Sequence, residues 1–382
     1  MARLALAAVV LLALAGCGGS SREEQRAAPG PRLTAEVARA LDARLHEKVE
    51  DTGVPGASAA VVFPDGREWK GAAGDAIVKP RQPMTSDTAL PLDSITKVAT
   101  ATLALRLVEE DRLALDDPIR KWYPAWRGDP EATVRDLLGH TSGAGDPPDA
   151  FWPPVLNHPE RPVSARRYVA ASGRPGPRTT SAEYSNAGFV IAGLVLERAA
   201  VEPVAATMRR KVFAAEGGDG LALQPAERPA EPHAHSYWYP RSLSRRVDAN
   251  DGGPLLPSAA LATMGWTASS LAGDVPSLAR WGDELLRGRI LRAASLHEMT
   301  RFHPGGIAEA YGLGLARSSV DGRTLLGHIG DGQGSHTELW HLPKERLTVA
   351  VTWNDEAIDD DGEILPALVR AALSGGRGSA GA

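Results

Sequence analysis

Strand-like sequence is confined to the two ends of this chain, and that separation constrains its fold more than any other feature. Near the N-terminus, residues 57–63 and 68–73 read as short strands joined by Pro64-Asp65-Gly66, a turn whose chemistry suits a hairpin. The style returns only at residues 311–317, 323–327, 335–342 and 347–353, with Val320-Asp321-Gly322 and Pro343-Lys344-Glu345 as turns. Between Ile95 and about Arg246 the helical period dominates, broken by long Pro- and Gly-rich connections. The economical α/β (α+β) solution is an antiparallel sheet built from both ends, flanked by helices, with a mostly helical lobe inserted between its first and last strands. The expected domain covers residues 33–375, its sheet lobe drawn from 33–93 and 255–375 and its helical lobe from about 94–254. Clefts at such lobe junctions are preferred sites for small ligands.

The folded part is predicted to open with Thr34 as N-cap of a helix whose Val37, Leu41, Leu45 and Val49 share one face, ending near Gly53-Val54-Pro55-Gly56. Before it, residues 4–15 form an apolar run behind Arg3, too short to span a bilayer but suited to the core of a signal peptide. That run ends Leu14-Ala15-Gly16-Cys17, which resembles the bacterial lipoprotein signal, so Cys17 is the expected lipidation site and a membrane the expected partner. An ordinary secretory signal or a short membrane anchor, with Cys17 incidental, is the alternative. Residues 18–32 then read as a flexible tether and residues 376–382 as a disordered tail. These segments predict an extracytoplasmic, lipid-anchored protein of a bacterial membrane. Cys17 is the only cysteine, which excludes an internal disulfide framework and a cysteine zinc site. A net charge of -5 gives no electrostatic footprint for nucleic acid.

Several catalytic signatures fail on inspection. There is no Gly-x-Ser-x-Gly elbow and no Walker loop, and neither His46-Glu47 nor His297-Glu298 has the second histidine of a zincin helix. The run Asp359-Asp360-Asp361-Gly362 does not align with a calcium loop, because Ala357 and Leu368 fall at ligand positions. What survives is Ser94-Ile95-Thr96-Lys97, followed by a helical pattern. Residues three apart share a helix face, so the Ser94 hydroxyl and the Lys97 amine can meet, and a partly desolvated lysine can take the serine proton. Lys97 is one of only seven lysines, against 35 arginines. Two further candidates follow in order: Tyr184-Ser185-Asn186 at the start of an apolar helix, where Asn186 would suffice as a cap, and Gly327-His328-Ile329-Gly330 after a strand. His303-Pro304-Gly305 also fits His-x-Gly, but its proline removes a ladder donor and discounts it as a strand motif.

Taken together, Ser94-x-x-Lys97, Tyr184-Ser185-Asn186 and His328-x-Gly330, separated by 87 and 144 residues, resemble the three motifs of the serine β-lactamase and penicillin-binding superfamily. The branch is that of class C β-lactamases, D-Ala-D-Ala carboxypeptidases and related esterases. Leu138-Gly139-His140-Thr141-Ser142-Gly143 and Leu271-Ala272-Gly273-Asp274 support the match, which covers about residues 35 to 374. The resemblance implies a β-lactamase/DD-peptidase-like fold and an acyl-enzyme on Ser94, with Lys97 and Tyr184 moving the proton. Tyr184 is the expected base or shuttle, its phenol pulled below its usual pKa of about 10 by the Lys97 charge. Asn186 would orient Lys97 or bind the substrate, and the N–H groups of Ser94 and Asp331 would form the oxyanion hole. His328 would support the proton network or meet a substrate anion, with Gly330 beside it. No metal or cofactor is implied. The expected partner is a small-molecule or peptide substrate, a cell-wall peptide among the candidates.

The third motif departs from the family. Its usual Lys-Thr-Gly or His-Thr-Gly binds a substrate carboxylate through a cation and a hydroxyl. Here the cation is His328, mostly neutral at pH 7, the middle residue is Ile329, and Asp331 adds a negative charge beside the pocket. A carboxypeptidase or β-lactamase-like hydrolase is the first expectation, with slow or absent β-lactam hydrolysis. An esterase or amidase/aminopeptidase of the same fold is the alternative, favoured by a neutral or amine-bearing substrate. A non-catalytic penicillin-binding-type protein is the third. Trp152, Trp238 and Tyr239 either line the cleft or pack under loops, and His140 and Ser142 are expected to be structural.

Overall fold

The structure is a computed structural model that describes residues 30–214, 217–239, 245–356 and 363–374. The signal segment with Cys17, most of the tether, the acidic run at residues 359–361 and the tail at 376–382 lie outside the described residues. Thr34 caps the first helix, Ala35–Thr52, its hydroxyl accepting from the Val37 N–H at 3.2 Å. Gly53 ends that helix in the left-handed region, and Val37, Leu41, Leu45 and Val49 are its buried face, as the four-residue spacing predicts.

Among the described residues, nine antiparallel strands form the main sheet. In spatial order they are Gln82–Pro83, Glu68–Ile77, Gly56–Val62, Leu347–Trp353, Ser335–Leu342, Arg323–Gly332, Ala316–Val320, Ala310–Tyr311 and His303–Pro304. The N-terminal hairpin therefore pairs directly with the last strand, Ala57 opposite Trp353 and Val62 opposite Thr348. Gly56–Val62 is buried along its whole length because its two faces serve two cores. Ala57, Ala59 and Val61 pack with the helices Ala35–Thr52 and Ile364–Ser374, while Ala60 and Val62 join the core of the helical lobe. The helix Val275–Leu286 covers that second face, capped by Asp274, whose carboxylate accepts from the Ser277 N–H at 2.8 Å.

Three readings change. Residues 311–317 are not one strand: Gly312 and Gly314 fold them into a hairpin in which Tyr311 faces Ala316, with Gly314 at φ 65° and the Gly312 N–H bonded to the Leu315 carbonyl. His303–Pro304 is a strand after all, but at the sheet edge, where the missing proline donor costs no ladder bond. A second sheet of three short strands, Leu90–Asp93, Leu271–Gly273 and Ala222–Leu223, sits where no strand is expected between residues 74 and 311. Two- to four-residue strands carry too little alternation to be read from sequence.

Candidate active site

The strand Leu90–Asp93 delivers Ser94 to the cleft. Asp93 has φ 46°, so the chain turns sharply before the helix Thr96–Glu109, and Ser94 stands just ahead of its N-terminus. The Lys97 N–H bonds the Ser94 carbonyl at 3.0 Å, and this tight turn sets both side chains on one face. Lys97 is fully buried. Its ammonium donates to Ser94 Oγ at 2.9 Å, to Asn186 Oδ1 at 2.7 Å and to the Ala268 carbonyl at 3.0 Å, and lies 4.6 Å from the centre of the Tyr184 ring. Burial lowers its pKa to about 7, against the opposing pull of the Asp146 and Asp93 carboxylates. A buried amine near neutrality can lose its proton and accept another.

Tyr184 precedes the helix Asn186–Ala200, and its hydroxyl hydrogen-bonds Ser94. The expected lowering of its phenol pKa does not occur. Burial raises it well above 10, and the Asp146, Asp331 and Asp93 carboxylates add to the rise; the Ser94 hydrogen bond opposes it without reversing it. Tyr184 is therefore a neutral phenol, fit to relay a proton rather than to hold its absence. The cap reading of Asn186 is also corrected: Ser185 is the N-cap, its hydroxyl accepting from the Gly188 N–H at 3.0 Å, which frees the Asn186 amide for Lys97.

The third motif lies within the strand Arg323–Gly332, rather than after it. His328 is fully buried and does not reach the cavity. Its Nδ1 faces the Ile329 carbonyl and its Nε2 lies 2.8 Å from Tyr311 Oη, so the ring donates to the carbonyl and accepts from the phenol. Burial and the Lys97 charge hold its pKa near 3, which removes it as a partner for a substrate anion. Gly330 is a packing position: a Cβ there would come within 2.3 Å of the Leu92 carbonyl, on the strand that delivers Ser94. Asp331 does line the cavity and is paired with His336. Against burial, which raises it, His336 pulls the Asp331 pKa down, and against burial, which lowers it, Asp331 pulls His336 up.

A cavity of about 550 Å³ opens beside Ser94. Trp152, Leu156, Leu261 and Met264 are apolar lining residues, and Trp238 and Tyr239 line it as well, so Trp152, Trp238 and Tyr239 all belong to the cleft. The charged side chains that line it are Asp93, Asp331 and Glu356; among the described residues no lysine or arginine does. Burial raises Asp93 to about 7 while the Ser335 hydroxyl opposes, donating to its carboxylate at 2.8 Å. Burial also raises Glu356. His140 is structural as expected: its Nδ1 accepts from the Ser185 N–H at 3.2 Å, and its ring packs between Tyr184, Phe189 and Tyr311.

Sequence reasoning missed Asp146, Glu356 and the Ala268 carbonyl. Asp146 accepts from Ser185, Asn186 and Ala187, yet lies some 40 residues away in a Gly-Asp-Pro loop with no pattern around it. Its place three residues after the Gly-His-Thr-Ser-Gly stretch is the only signal.

Comparison with known proteins bears on the family and the fold. The family model described as Beta-lactamase matches residues 41–374. Among curated proteins, the chain is 24% identical over 346 residues to a D-aminopeptidase of Brucella ovis, covering 87% of this chain and 62% of that protein. It is 36% identical over 117 residues to Esterase EstB of Burkholderia gladioli, covering 29% of this chain and 30% of that one. The chain thus spans less than two thirds of the length of these relatives. Among solved structures it resembles a D-amino acid amidase from Ochrobactrum anthropi SV3, with TM-score 0.78, 24% identity and coverage of 88% and 98% of the two chains. It also resembles a D-stereospecific amidohydrolase from Streptomyces sp., with TM-score 0.73, 27% identity and coverage of 90% and 99%.

Proposed function

Because the chain belongs to the β-lactamase family and is a serine hydrolase of that fold, we propose that it cleaves amides of D-amino acids bearing a free amine, as an amidase or aminopeptidase, through an acyl-enzyme on Ser94. The observation that carries this reading is the charge of the cavity: Asp93, Asp331 and Glu356 line it, and no described lysine or arginine does. An ammonium group is attracted there and a terminal carboxylate repelled. His336 shares the charge of Asp331, which leaves Glu356 and the half-ionised Asp93 to contribute the rest. The apolar lining of Trp152, Leu156, Leu261 and Met264 suits a large side chain. The D configuration and the amide bond are drawn from the D-aminopeptidase and D-stereospecific amidohydrolase relatives. D-Ala-D-Ala carboxypeptidase action has less support, since its substrate ends in a carboxylate.

In this mechanism Ser94 Oγ bonds to the carbonyl carbon while its proton passes to neutral Lys97, directly or through the Tyr184 hydroxyl. The backbone N–H groups of Ser94 and Asp331 hold the oxyanion. Collapse breaks the C–N bond, and the proton held by Lys97 leaves with the departing amine. Water then adds to the Ser94 ester by the reverse relay, releasing the D-amino acid. A second reading, ester hydrolysis, is favoured by the 36% identity to Esterase EstB and by the largely apolar walls. We propose further that lipid on Cys17 holds the enzyme at a bacterial membrane; the Leu14-Ala15-Gly16-Cys17 sequence supports this. Intact-protein mass spectrometry tests the nucleophile: a fluorophosphonate is expected to add once to the wild-type protein and not to Ser94→Ala. Labelling that survives Ser94→Ala, or folded wild-type protein that stays unlabelled, overturns the assignment.

A further inference from the structure

Among the described residues, Asp146 is the carboxylate that hydrogen-bonds the second motif. Its Oδ1 accepts from the Ala187 N–H at 2.7 Å and from the Ser185 hydroxyl at 3.3 Å; its Oδ2 accepts from the Asn186 N–H and from the Asn186 amide nitrogen, both at 3.2 Å. An ionised carboxylate accepts only, whereas an amide can present either its oxygen or its NH₂. Asp146 therefore takes the NH₂ end of Asn186 and leaves the oxygen turned to the Lys97 ammonium, 2.7 Å away. The reverse orientation would put two donors face to face.

We propose that Asp146 is a positioning residue: its carboxylate seats Asn186 against the Lys97 amine and supplies part of the negative charge that amine faces. This rests on the reading above in which Lys97 moves the Ser94 proton. The other groups around the amine do not duplicate the role. Asp93 lies on the strand that delivers Ser94, and its carboxylate bonds Ser335 rather than Asn186. Tyr184 is a neutral phenol, and His140 and His328 are buried neutral rings. Asp146 opposes the burial of Lys97, so losing its charge lowers the Lys97 pKa and carries the acid limb of the pH–rate profile to lower pH. Asp146 is exposed, so solvent screens part of this field and the shift is modest.

The test compares Asp146→Asn, Asp146→Ser and Asp146→Glu with the wild-type enzyme on one D-amino acid amide. Asp146→Asn removes the charge and, whichever way its amide turns, sets its NH₂ against the donors of either Asn186 or Ala187, and Asp146→Ser removes the charge and one of the two acceptor oxygens. Both are expected to lose about tenfold in kcat with little change in KM and to move the acid limb of kcat/KM down by about half a unit. Asp146→Glu keeps the charge and is expected to hold the acid limb in place. A neutral variant that melts cooperatively, labels at Ser94 and keeps both the wild-type kcat and the wild-type acid limb overturns the proposal. A role confined to helix capping would lower the melting temperature and leave the pH profile unmoved, which also overturns it. Should Asp146→Asn not fold, Asp146→Ser decides. Failure of the underlying reading shows separately, as a wild-type protein that does not label at Ser94 or a Lys97→Arg variant that stays active.

Discussion

Lys97 combines complete burial with three hydrogen-bond acceptors within 3.0 Å. Burial disfavours the ammonium and the Asp146 and Asp93 carboxylates favour it, and the balance falls near neutrality. Because only the neutral amine can take the Ser94 proton, kcat/KM is expected to rise with pH to a plateau through an apparent pKa near 7; a flat profile from pH 5 to 9 would contradict the role. The pairing of Ser94 and Lys97 was legible because three-residue spacing on a helix is local geometry. The state of Tyr184 was not, since its pKa is raised first by burial, which only the tertiary fold creates, and then by the carboxylates of Asp146, Asp331 and Asp93, distant in sequence. His328 was misread for a related reason: a motif gives the residue but not the direction its ring faces. His328→Ala would open a cavity and leave the buried Tyr311 hydroxyl without its partner, an expected loss of about 2–4 kcal/mol measured by urea unfolding. A loss below 0.5 kcal/mol would mean that the pair is not structural.

At the scale of elements, the site depends on how closely the strand Arg323–Gly332 approaches the strand Leu90–Asp93. Gly330 permits that approach, and a methyl group there meets the Leu92 carbonyl. Gly330→Ala is expected to push the two strands apart, cost about 1–3 kcal/mol, and slow Ser94 acylation by roughly a hundredfold. Fluorophosphonate labelling rates and thermal melting together check this; unchanged labelling would show that the contact does not set the site. The first helix, the Pro64-Asp65-Gly66 hairpin and the long C-terminal strands were legible because each carries several matching signals, such as Thr34, the buried stripe and Gly53 in one helix. The hairpin at Tyr311 was hidden because two glycines within three residues carry a turn inside an apolar run. The three-stranded sheet was hidden because its strands are held by pairing with distant segments rather than by their own pattern.

Across the whole molecule, one hydrophobic cluster joins the terminal helices to the outer face of the sheet and the other fills the helical lobe and the inner face. The cavity lies where strand ends meet that lobe, so its walls come from widely separated stretches: Trp152 and Leu156, then Tyr184 and Asn186, then Leu261 and Met264, then Asp331. The chain order of the three motifs made the fold and the reaction class legible. The lining did not follow from it, because wall residues such as Glu356 and Leu261 belong to no motif and are brought together only by the tertiary fold. The charge of that lining separates the possible substrates. The most direct test is a paired comparison of kcat/KM for D-phenylalanine amide, which carries a free amine, and an N-acylated D-Ala-D-Ala peptide, which ends in a carboxylate. The amine-bearing amide is expected to be preferred by at least about a hundredfold, and the preference should shrink as salt screens the Asp331 and Glu356 charges. Preference for the carboxylate-terminated peptide would contradict the account and return the enzyme to the carboxypeptidase reading.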